Sequence, residues 1–341
     1  MNLYDFYICA ESAAQKLSVF YDRTQARAAA VLSCYNKHSV FSRRENGVRY
    51  REEYPTMKPY EKYMLISDLD GTIVPHGKAI SAANAEAFRA FVAGGGLFGI
   101  ATGRTPEAAG GYVRGLPITA PSIFFNGSML YDWQARKVLA QRNLQGAEDS
   151  PNIWPRFAAE CLKMFPQACV EVYTEEACCI VSPEENDDPR LVREFYRCRH
   201  IPLADVSDMR RTPWLKLLVC DAPPALHRVE RLAKNFGTAR LSHHFYSEAN
   251  YYEFVAQGVS KGAMIEEIRG LPICQGRRII ALGDYLNDRE MIELADIGIA
   301  SGNAHESIKQ AADFTGCRAE DDLVVWLLAH FAEITAQKSA D

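Results

Sequence analysis

Several features that define large classes of protein are missing from this sequence. No apolar run reaches the ~18 residues of a membrane-spanning helix, and the first residues lack the basic-then-apolar order of a signal peptide. The 10 cysteines include no Cys-x-x-Cys pair, which argues against a zinc or dithiol redox site. Basic residues are not in excess, because 38 Lys and Arg stand against 43 Asp and Glu and the formal net charge is -5.

These absences restrict the expected partners. A chain without a basic surplus has no electrostatic footprint for nucleic acid, and a chain without a long apolar run has no span for a bilayer. We therefore expect a cytoplasmic protein, a monomer or homodimer, whose partner is a small molecule and neither nucleic acid nor membrane.

The 341 residues are enough for two domains. Residues 1–62 show no sustained period, and we interpret them as an N-terminal extension that is mobile, or non-native if translation begins at Met57 or Met64. From Tyr63 onward, short apolar runs alternate with helical patterns, which is typical of βαβ units and a mostly parallel sheet. This rhythm is interrupted and resumes at 251–255. We predict an α/β core of residues 63–127 and 251–336, with an inserted α+β domain at 128–250.

Two carboxylates, Asp68 and Asp70, follow the first apolar strand directly. In an extended backbone they point to the same side and repel each other, so a divalent hard cation is a natural companion. The carboxyl end of such a strand is where open α/β sheets bind ligands. Asp and Gly are also common turn residues, so this stretch alone favours a turn over an active site.

Three later stretches shift that balance. Thr102 and Gly103 follow the next strand, where a hydroxyl and an amide suit phosphate oxygens. Lys261 begins a helix, an unfavourable place for a cation unless an anion is nearby. Asp284 follows another apolar strand and can supply the third carboxylate of a magnesium site. Asn287 and Asp288 lie one turn further on, more polar groups than a helix cap needs.

These motifs resemble those of the haloacid dehalogenase (HAD) superfamily, specifically the Cof-type phosphatases of its IIB branch. The resemblance covers Tyr63 to about Trp326, and the insert lies where this branch carries its cap. It implies a Rossmannoid parallel-sheet core with an inserted α+β (C2-type) cap domain. The matching motifs are Asp68-Leu69-Asp70-Gly71-Thr72, Ala101-Thr102-Gly103-Arg104, Gly258-Val259-Ser260-Lys261-Gly262, Gly283-Asp284-Tyr285-Leu286-Asn287-Asp288, Phe125-Asn126-Gly127 and Gly302-Asn303-Ala304.

The resemblance also implies roles for the motif residues. Asp68 would be the nucleophile that forms an aspartyl-phosphate, and Asp70 the general acid and base. Mg²⁺ would be held by Asp68, the backbone carbonyl of Asp70, and Asp284. Phosphate binding and support would come from the other motif residues: Leu69, Thr102, Gly103, Lys261 and Asn287 as phosphate ligands, and Asp288 and Thr72 as supporting groups.

The resulting hypothesis is a Mg²⁺-dependent phosphatase for small phosphorylated metabolites, such as sugar phosphates or phosphorylated cofactors. A phosphomutase and a non-catalytic phosphometabolite sensor remain alternatives, because the fold alone does not choose among them. Arg104 is interpreted as the partner of an acidic neighbour and not as a catalytic residue. Polar residues of the insert are interpreted as solvated surface groups: Arg210, Arg211, Lys216, His243, His244 and Glu248.

Overall fold

The computed structural model describes residues 42–45, 48–51, 58–182 and 198–338. Most of the predicted N-terminal extension, and residues 190–197 of a helix predicted at 190–199, lie outside the described residues. The strands are, in chain order, β1 (Ser42–Glu45), β2 (Val48–Arg51), β3 (Tyr63–Ser67), β4 (Leu97–Ile100), β5 (Ser122–Phe124), β6 (Met129–Asp132), β7 (Lys137–Gln141), β8 (Cys169–Tyr173), β9 (Cys178–Ser182), β10 (Arg199–Pro202), β11 (Lys216–Cys220), β12 (Ser242–Glu248), β13 (Tyr251–Ala256), β14 (Arg278–Gly283), β15 (Ile297–Ala300) and β16 (Phe314–Thr315). The helices are α1 (Ala82–Ala93), α2 (Pro106–Tyr112), α3 (Ile153–Met164), α4 (Pro223–Phe236), α5 (Lys261–Arg269), α6 (Arg289–Leu294), α7 (Glu306–Ala311) and α8 (Leu323–Gln337).

Five parallel strands form the first large sheet, which we call the core sheet, in the order β16-β15-β14-β3-β4. Leu65 of β3 lies between Ile280 of β14 and Phe98 of β4. Met64, Leu65 and Ile66 are fully buried, as expected for a parallel sheet covered on both faces. The predicted α/β class with a parallel sheet is confirmed.

The helices that cover the core sheet begin at side-chain caps. The Ser81 hydroxyl accepts a hydrogen bond from the Asn84 amide at 2.9 Å at the start of α1, and Thr105 does the same for Ala108 at 3.0 Å at the start of α2. Such caps satisfy amides that have no partner within the helix. Helix α1 packs on the sheet through Phe88, which stacks on Phe98 of β4 with ring centroids 4.0 Å apart.

Six strands form the second large sheet, which we call the cap sheet, in the order β10-β9-β8-β11-β13-β12. Helices α3 and α4 pack on one of its faces; Phe157 of α3, for instance, meets Phe254 of β13 at a centroid distance of 5.2 Å. Side chains alternate along each strand. Every second residue of β8, β11 and β13 therefore points away from the helices.

Strand β13 corrects one expectation. The sequence pattern at 251–255 predicts a return to the parallel core, but β13 pairs antiparallel with both β11 and β12 of the cap sheet. Its apolar, tyrosine-rich sequence suits a buried strand of either sheet, and only long-range pairing decides between them. The predicted domains, a core of residues 63–127 and 251–336 and an insert of residues 128–250, remain a proposal. The strand β13, which the prediction gave to the core, belongs to the cap sheet.

Two smaller sheets complete the described strands. β5, β6 and β7 form an antiparallel sheet that is joined to the core by a parallel bridge between Ala101 and Ile123. β1 and β2 form an antiparallel pair in a region whose sequence shows no sustained period. Tyr60, which precedes the predicted core boundary, is buried and packs on Phe91 and Phe331 at centroid distances of 4.9 and 4.7 Å. Among the described helices, none has both the length and the apolar character to cross a bilayer.

Candidate active site

A cavity of about 510 Å³ lies between the carboxyl ends of the core-sheet strands and the helix-free side of the cap sheet. Asp68 follows β3 and Asp284 follows β14, and both line it. Parallel neighbours end at the same edge, so two residues 216 positions apart face one space. The wall opposite them comes from the cap sheet and includes Glu171, Lys216 and Glu253.

Lys261 connects two of the predicted carboxylates. Its Nζ lies 2.6 Å from Asp68 Oδ1 and 2.6 Å from Asp288 Oδ1, and all three side chains are buried. Ser260 caps α5 by accepting from the Ala263 amide at 2.9 Å, which places Lys261 at the first position of the helix. The sequence predicted a lysine that needs an anion, and the structure supplies two.

Burial and the neighbouring charges shift the pKa values of Asp68 and Lys261. Burial raises the pKa of Asp68 to about 7, although Lys261 acts in the opposite direction. Burial tends to lower the pKa of Lys261, but Asp288 and Asp68 together hold it above its usual value. The lysine is therefore a permanent cation beside the predicted nucleophile.

Asp284 completes a cluster of three carboxylates. Oxygen atoms of Asp68, Asp284 and Asp288 all lie within 4.8 Å of one another. Burial, followed by the charges of Asp68 and Asp288, raises the pKa of Asp284 to about 9, and Thr72 donates to its Oδ1 at 3.1 Å. One lysine does not balance three carboxylates, so these hard oxygen donors fit a divalent cation such as Mg²⁺.

Asp70 has a different partner from Asp68. Arg104 binds its carboxylate with both prongs of the guanidinium, Nε to Oδ2 and a terminal nitrogen to Oδ1, each at 2.7 Å. The same guanidinium lies over the Tyr112 ring at 4.3 Å. Arg104 thus pairs with an acidic neighbour, as predicted, and that neighbour is the predicted general acid, Asp70.

Some of the predicted phosphate ligands line the cavity, and others are buried in the protein. Gly103 and Asn287 line the cavity. Thr102 and Leu69 are buried beneath it; the Thr102 hydroxyl accepts from the Arg104 amide at 3.2 Å and can still direct its own hydrogen elsewhere. The phosphate-binding roles of these residues, like the catalytic roles, remain predictions.

A buried polar network joins the cap sheet to the predicted phosphate loop. Lys216 of β11 donates to the Gly103 carbonyl at 2.9 Å and forms an ion pair with Glu253 of β13 at 3.0 Å. Asn126, in the left-handed conformation at φ 56°, donates to Glu253 at 2.7 Å and accepts from Asn287 at 3.1 Å. The cap therefore contacts the motif residues at Gly103 and at Asn126, and the ion pair between Lys216 and Glu253 links these two contacts.

The prediction that Lys216 is a solvated surface group is wrong, because its side chain is 3% exposed. Glu248 is exposed, as predicted, and also lines the cavity, where partial burial and then the Asp70 charge raise its pKa. His243 bonds the Val259 carbonyl, and His244 packs against Tyr252 and Phe254. The side chains of Arg210 and Arg211 lie outside the described residues.

Glu171 and Glu253 were missed in the sequence. Each is a single charge within an otherwise apolar strand, in Cys169–Tyr173 and Tyr251–Ala256. A carboxylate in such a strand is expensive to bury unless it has partners. The single glutamate in each apolar strand is the sequence feature that could have predicted a role in the site.

Together, these features define a two-layered α/β protein: acidic residues follow the strands of a parallel sheet, a buried lysine lies between them, and a second sheet covers the cavity. Residues 65–328 match the family of haloacid dehalogenase-like hydrolases. The chain belongs to this family, which confirms the predicted superfamily.

Individual proteins support the same conclusion. The chain is 23% identical over 278 residues to the 5-amino-6-(5-phospho-D-ribitylamino)uracil phosphatase YitU of Bacillus subtilis, covering 79% of this chain and 97% of the relative. It is 25% identical over 284 residues to the pyridoxal phosphate phosphatase YbhA of Escherichia coli, covering 77% and 96%.

A solved HAD subclass IIB sugar phosphatase has the same fold with a TM-score of 0.65, at 20% identity and covering 79% of this chain and 99% of that chain. The predicted IIB fold and the predicted enzyme class, a HAD-type phosphoric monoester hydrolase, are confirmed.

Proposed function

We propose that this protein is a Mg²⁺-dependent phosphatase that hydrolyses small phosphorylated metabolites through an aspartyl-phosphate on Asp68. The observation that carries the proposal is the buried contact of Lys261 with Asp68, beside the carboxylates of Asp284 and Asp288. Pure binding of a phosphate would not require a carboxylate at the centre of the site, since it repels the ligand. The phosphatase relatives act on a phosphoribityl compound and on pyridoxal phosphate, which supports sugar phosphates or phosphorylated cofactors as substrates.

The reaction proceeds in two displacements. An Asp68 carboxylate oxygen attacks phosphorus while the bond from phosphorus to the leaving oxygen breaks, and that oxygen takes a proton from Asp70. Water then attacks the phosphorus of the aspartyl-phosphate, giving its proton to Asp70 and releasing Asp68 and inorganic phosphate. Lys261 stabilises charge on the non-bridging oxygens. Bound at Asp68, Asp284 and the Asp70 carbonyl, Mg²⁺ would offset the repulsion between nucleophile and phosphate.

Asp70 must leave its partner for this chemistry. In this structure both oxygens of Asp70 accept hydrogen bonds from Arg104, whereas a general acid needs one oxygen directed at the leaving group. Substrate entering the cavity, which both residues line, would draw Arg104 toward the phosphate and free Asp70 for proton transfer.

Phosphate release from a panel of phosphorylated sugars, nucleotides and cofactors tests the proposal. We expect release with Mg²⁺ present, a loss of at least about 100-fold with EDTA, and recovery when Mg²⁺ is added back. Release that is unaffected by EDTA would contradict the metal assignment. Conversion of one sugar phosphate into another with little free phosphate would point to a phosphomutase, and no turnover by folded protein would favour a sensor.

The Gly71→Ala variant tests the position of Asp284. Gly71 has φ +78°, and an added Cβ would lie 2.2 Å from Asp284 Oδ2, so the carboxylate would have to move. We expect the Mg²⁺ concentration for half-maximal phosphate release to rise at least about tenfold, since second-sphere changes at metal sites have effects of this size.

Gly77→Ala is the matched control for this substitution. Gly77 has φ +69°, so alanine brings a similar backbone strain, but nothing lies within 4 Å of its added Cβ. Its half-maximal Mg²⁺ concentration should stay near that of the wild type. Equal shifts in the two variants would show that strain, and not displacement of Asp284, is responsible.

A further inference from the structure

Two buried charges of the cap sheet contact the core beside the predicted phosphate ligands. Lys216 of β11 and Glu253 of β13 form an ion pair at 3.0 Å, and their side chains are only 3% and 4% exposed. Burying two charges is costly, and apolar residues in place of such a pair often leave a protein equally or more stable. The stability of the cap therefore does not explain why the pair is there.

Lys216 fixes one peptide of the loop that follows β4. It donates to the Gly103 carbonyl at 2.9 Å, and the amide of the same peptide, which belongs to Arg104, donates to the Thr102 hydroxyl oxygen at 3.2 Å. A hydroxyl that accepts one hydrogen bond still has its own hydrogen to donate. The peptide is held at both ends, and this restricts the directions in which Thr102 can donate to a phosphate.

Glu253 fixes the orientation of two asparagine amides. Its Oε2 accepts from Asn126 Nδ2 at 2.7 Å, and Asn126 Oδ1 accepts from Asn287 Nδ2 at 3.1 Å. A carboxylate only accepts hydrogen bonds, so Asn126 must turn its NH₂ group to Glu253 and its oxygen to Asn287. Asn287 lines the cavity and keeps a second N–H, for which the described residues supply no partner.

The polar atoms of the ion pair are engaged within the protein. Besides its two oxygen partners, Lys216 Nζ lies over the Tyr173 ring, 4.3 Å from the centroid. The second oxygen of Glu253, Oε1, accepts from the Ser247 hydroxyl at 2.5 Å. Although both residues line the cavity, their hydrogen bonds run toward the predicted phosphate ligands and not toward the space for the leaving group.

We propose that Lys216 and Glu253 are positioning residues for the phosphate group, Lys216 acting on Thr102 and Glu253 acting on Asn287. This inference rests on the phosphate site of the proposed phosphatase, and it gives the cap a part in binding the phosphate itself. Every substrate carries the same phosphate. Loss of the pair should therefore weaken the use of all substrates by a similar factor.

Orthovanadate, an oxyanion shaped like phosphate, tests the inference without turnover. Isothermal titration calorimetry with Mg²⁺ present measures its Kd. Glu253→Met removes both acceptor oxygens and should raise this Kd at least about tenfold, the size of a lost hydrogen bond to a charged ligand. Glu253→Gln should stay within about threefold of the wild type, because its oxygen can accept from Asn126 while its NH₂ group donates to the Ser247 hydroxyl.

Two results of this titration would overturn the inference. An equal rise in Glu253→Met and Glu253→Gln would show that the charge matters and the hydrogen-bonded chain does not. Wild-type protein that fails to bind orthovanadate would show that no such oxyanion site exists.

The double variant Lys216→Met/Glu253→Met separates positioning from charge balance. Replacing both members of a buried pair leaves no unpaired charge, so the fold should be retained, which the melting temperature checks. The Kd for orthovanadate should still be at least about tenfold above that of the wild type, because Asn126 and the Gly103 carbonyl have lost their partners. A return to wild-type affinity would refute the positioning role.

Substrate kinetics give an independent readout. In the double variant, kcat/KM should fall by the same factor, within about twofold, for two panel substrates with different leaving groups. A changed preference between them would show that the pair contacts the leaving group, against the inference. Failure of the phosphatase function is distinguishable, because wild-type protein would then release phosphate from no compound while the difference in Kd between Glu253→Met and Glu253→Gln would persist.

Discussion

The Asp68→Asn variant is expected to lose phosphatase activity by a factor on the order of 10⁴ or more, the size seen when a catalytic nucleophile is removed. The amide cannot attack phosphorus as a carboxylate does, so no aspartyl-phosphate forms. Asparagine has nearly the same shape, and Lys261 keeps its 2.6 Å contact with Asp288. Steady-state phosphate release with the best panel substrate measures the loss.

Two controls separate lost chemistry from lost structure. The melting temperature of Asp68→Asn should stay close to that of the wild type, because asparagine leaves no cavity and Lys261 keeps Asp288 as its ion-pair partner. The variant should also still bind substrate, which isothermal titration with Mg²⁺ present would show. Turnover at the wild-type rate by the purified variant would refute the nucleophile assignment.

Lys261→Met is expected to remove activity and to destabilise the protein by about 3–5 kcal/mol, the cost of removing one partner from a buried ion pair. Lys261 is the cation between the carboxylates of Asp68 and Asp288, all of them buried. Methionine fills the volume but leaves two buried carboxylates without their shared cation. Urea unfolding followed by circular dichroism measures the stability change.

Lys234→Met is the matched control for charge removal. Lys234 lies on α4 and forms an exposed ion pair with Glu230 at 2.7 Å, and pairs of this kind contribute at most about 1 kcal/mol. We expect its unfolding midpoint to change little. A similar stability for the two variants would mean that the carboxylates around Lys261 do not depend on its charge.

The strand ends of the core were predictable because the signals are local. The apolar runs that precede Asp68 and Asp284 each predict a buried strand, and the aspartate marks a polar group at the end of that strand. Helix starts were equally clear, since Ser81, Thr105 and Ser260 all accept from amides of the first turn.

The cap-side half of the site was not predictable in the same way. Lys216 was interpreted as a surface group, and β13 was assigned to the wrong sheet. Each error concerns a residue whose environment depends on which strand lies beside it. The local sequence pattern indicates that a strand is apolar. It does not indicate whether the strand pairs with β3 or with β11, or which of its faces a neighbouring sheet covers.

The sequence by itself determined the family, the parallel core and the residues at four strand ends, because each of these is written in a short, ordered motif. Only the tertiary structure decided that Asp68 and Asp288 share Lys261, that Asp70 is held by Arg104, and that Glu171 and Glu253 face the cavity. These contacts join residues between 27 and 193 positions apart or lie across two sheets. Their energy depends on burial and distance, which come into being only when the chain has folded.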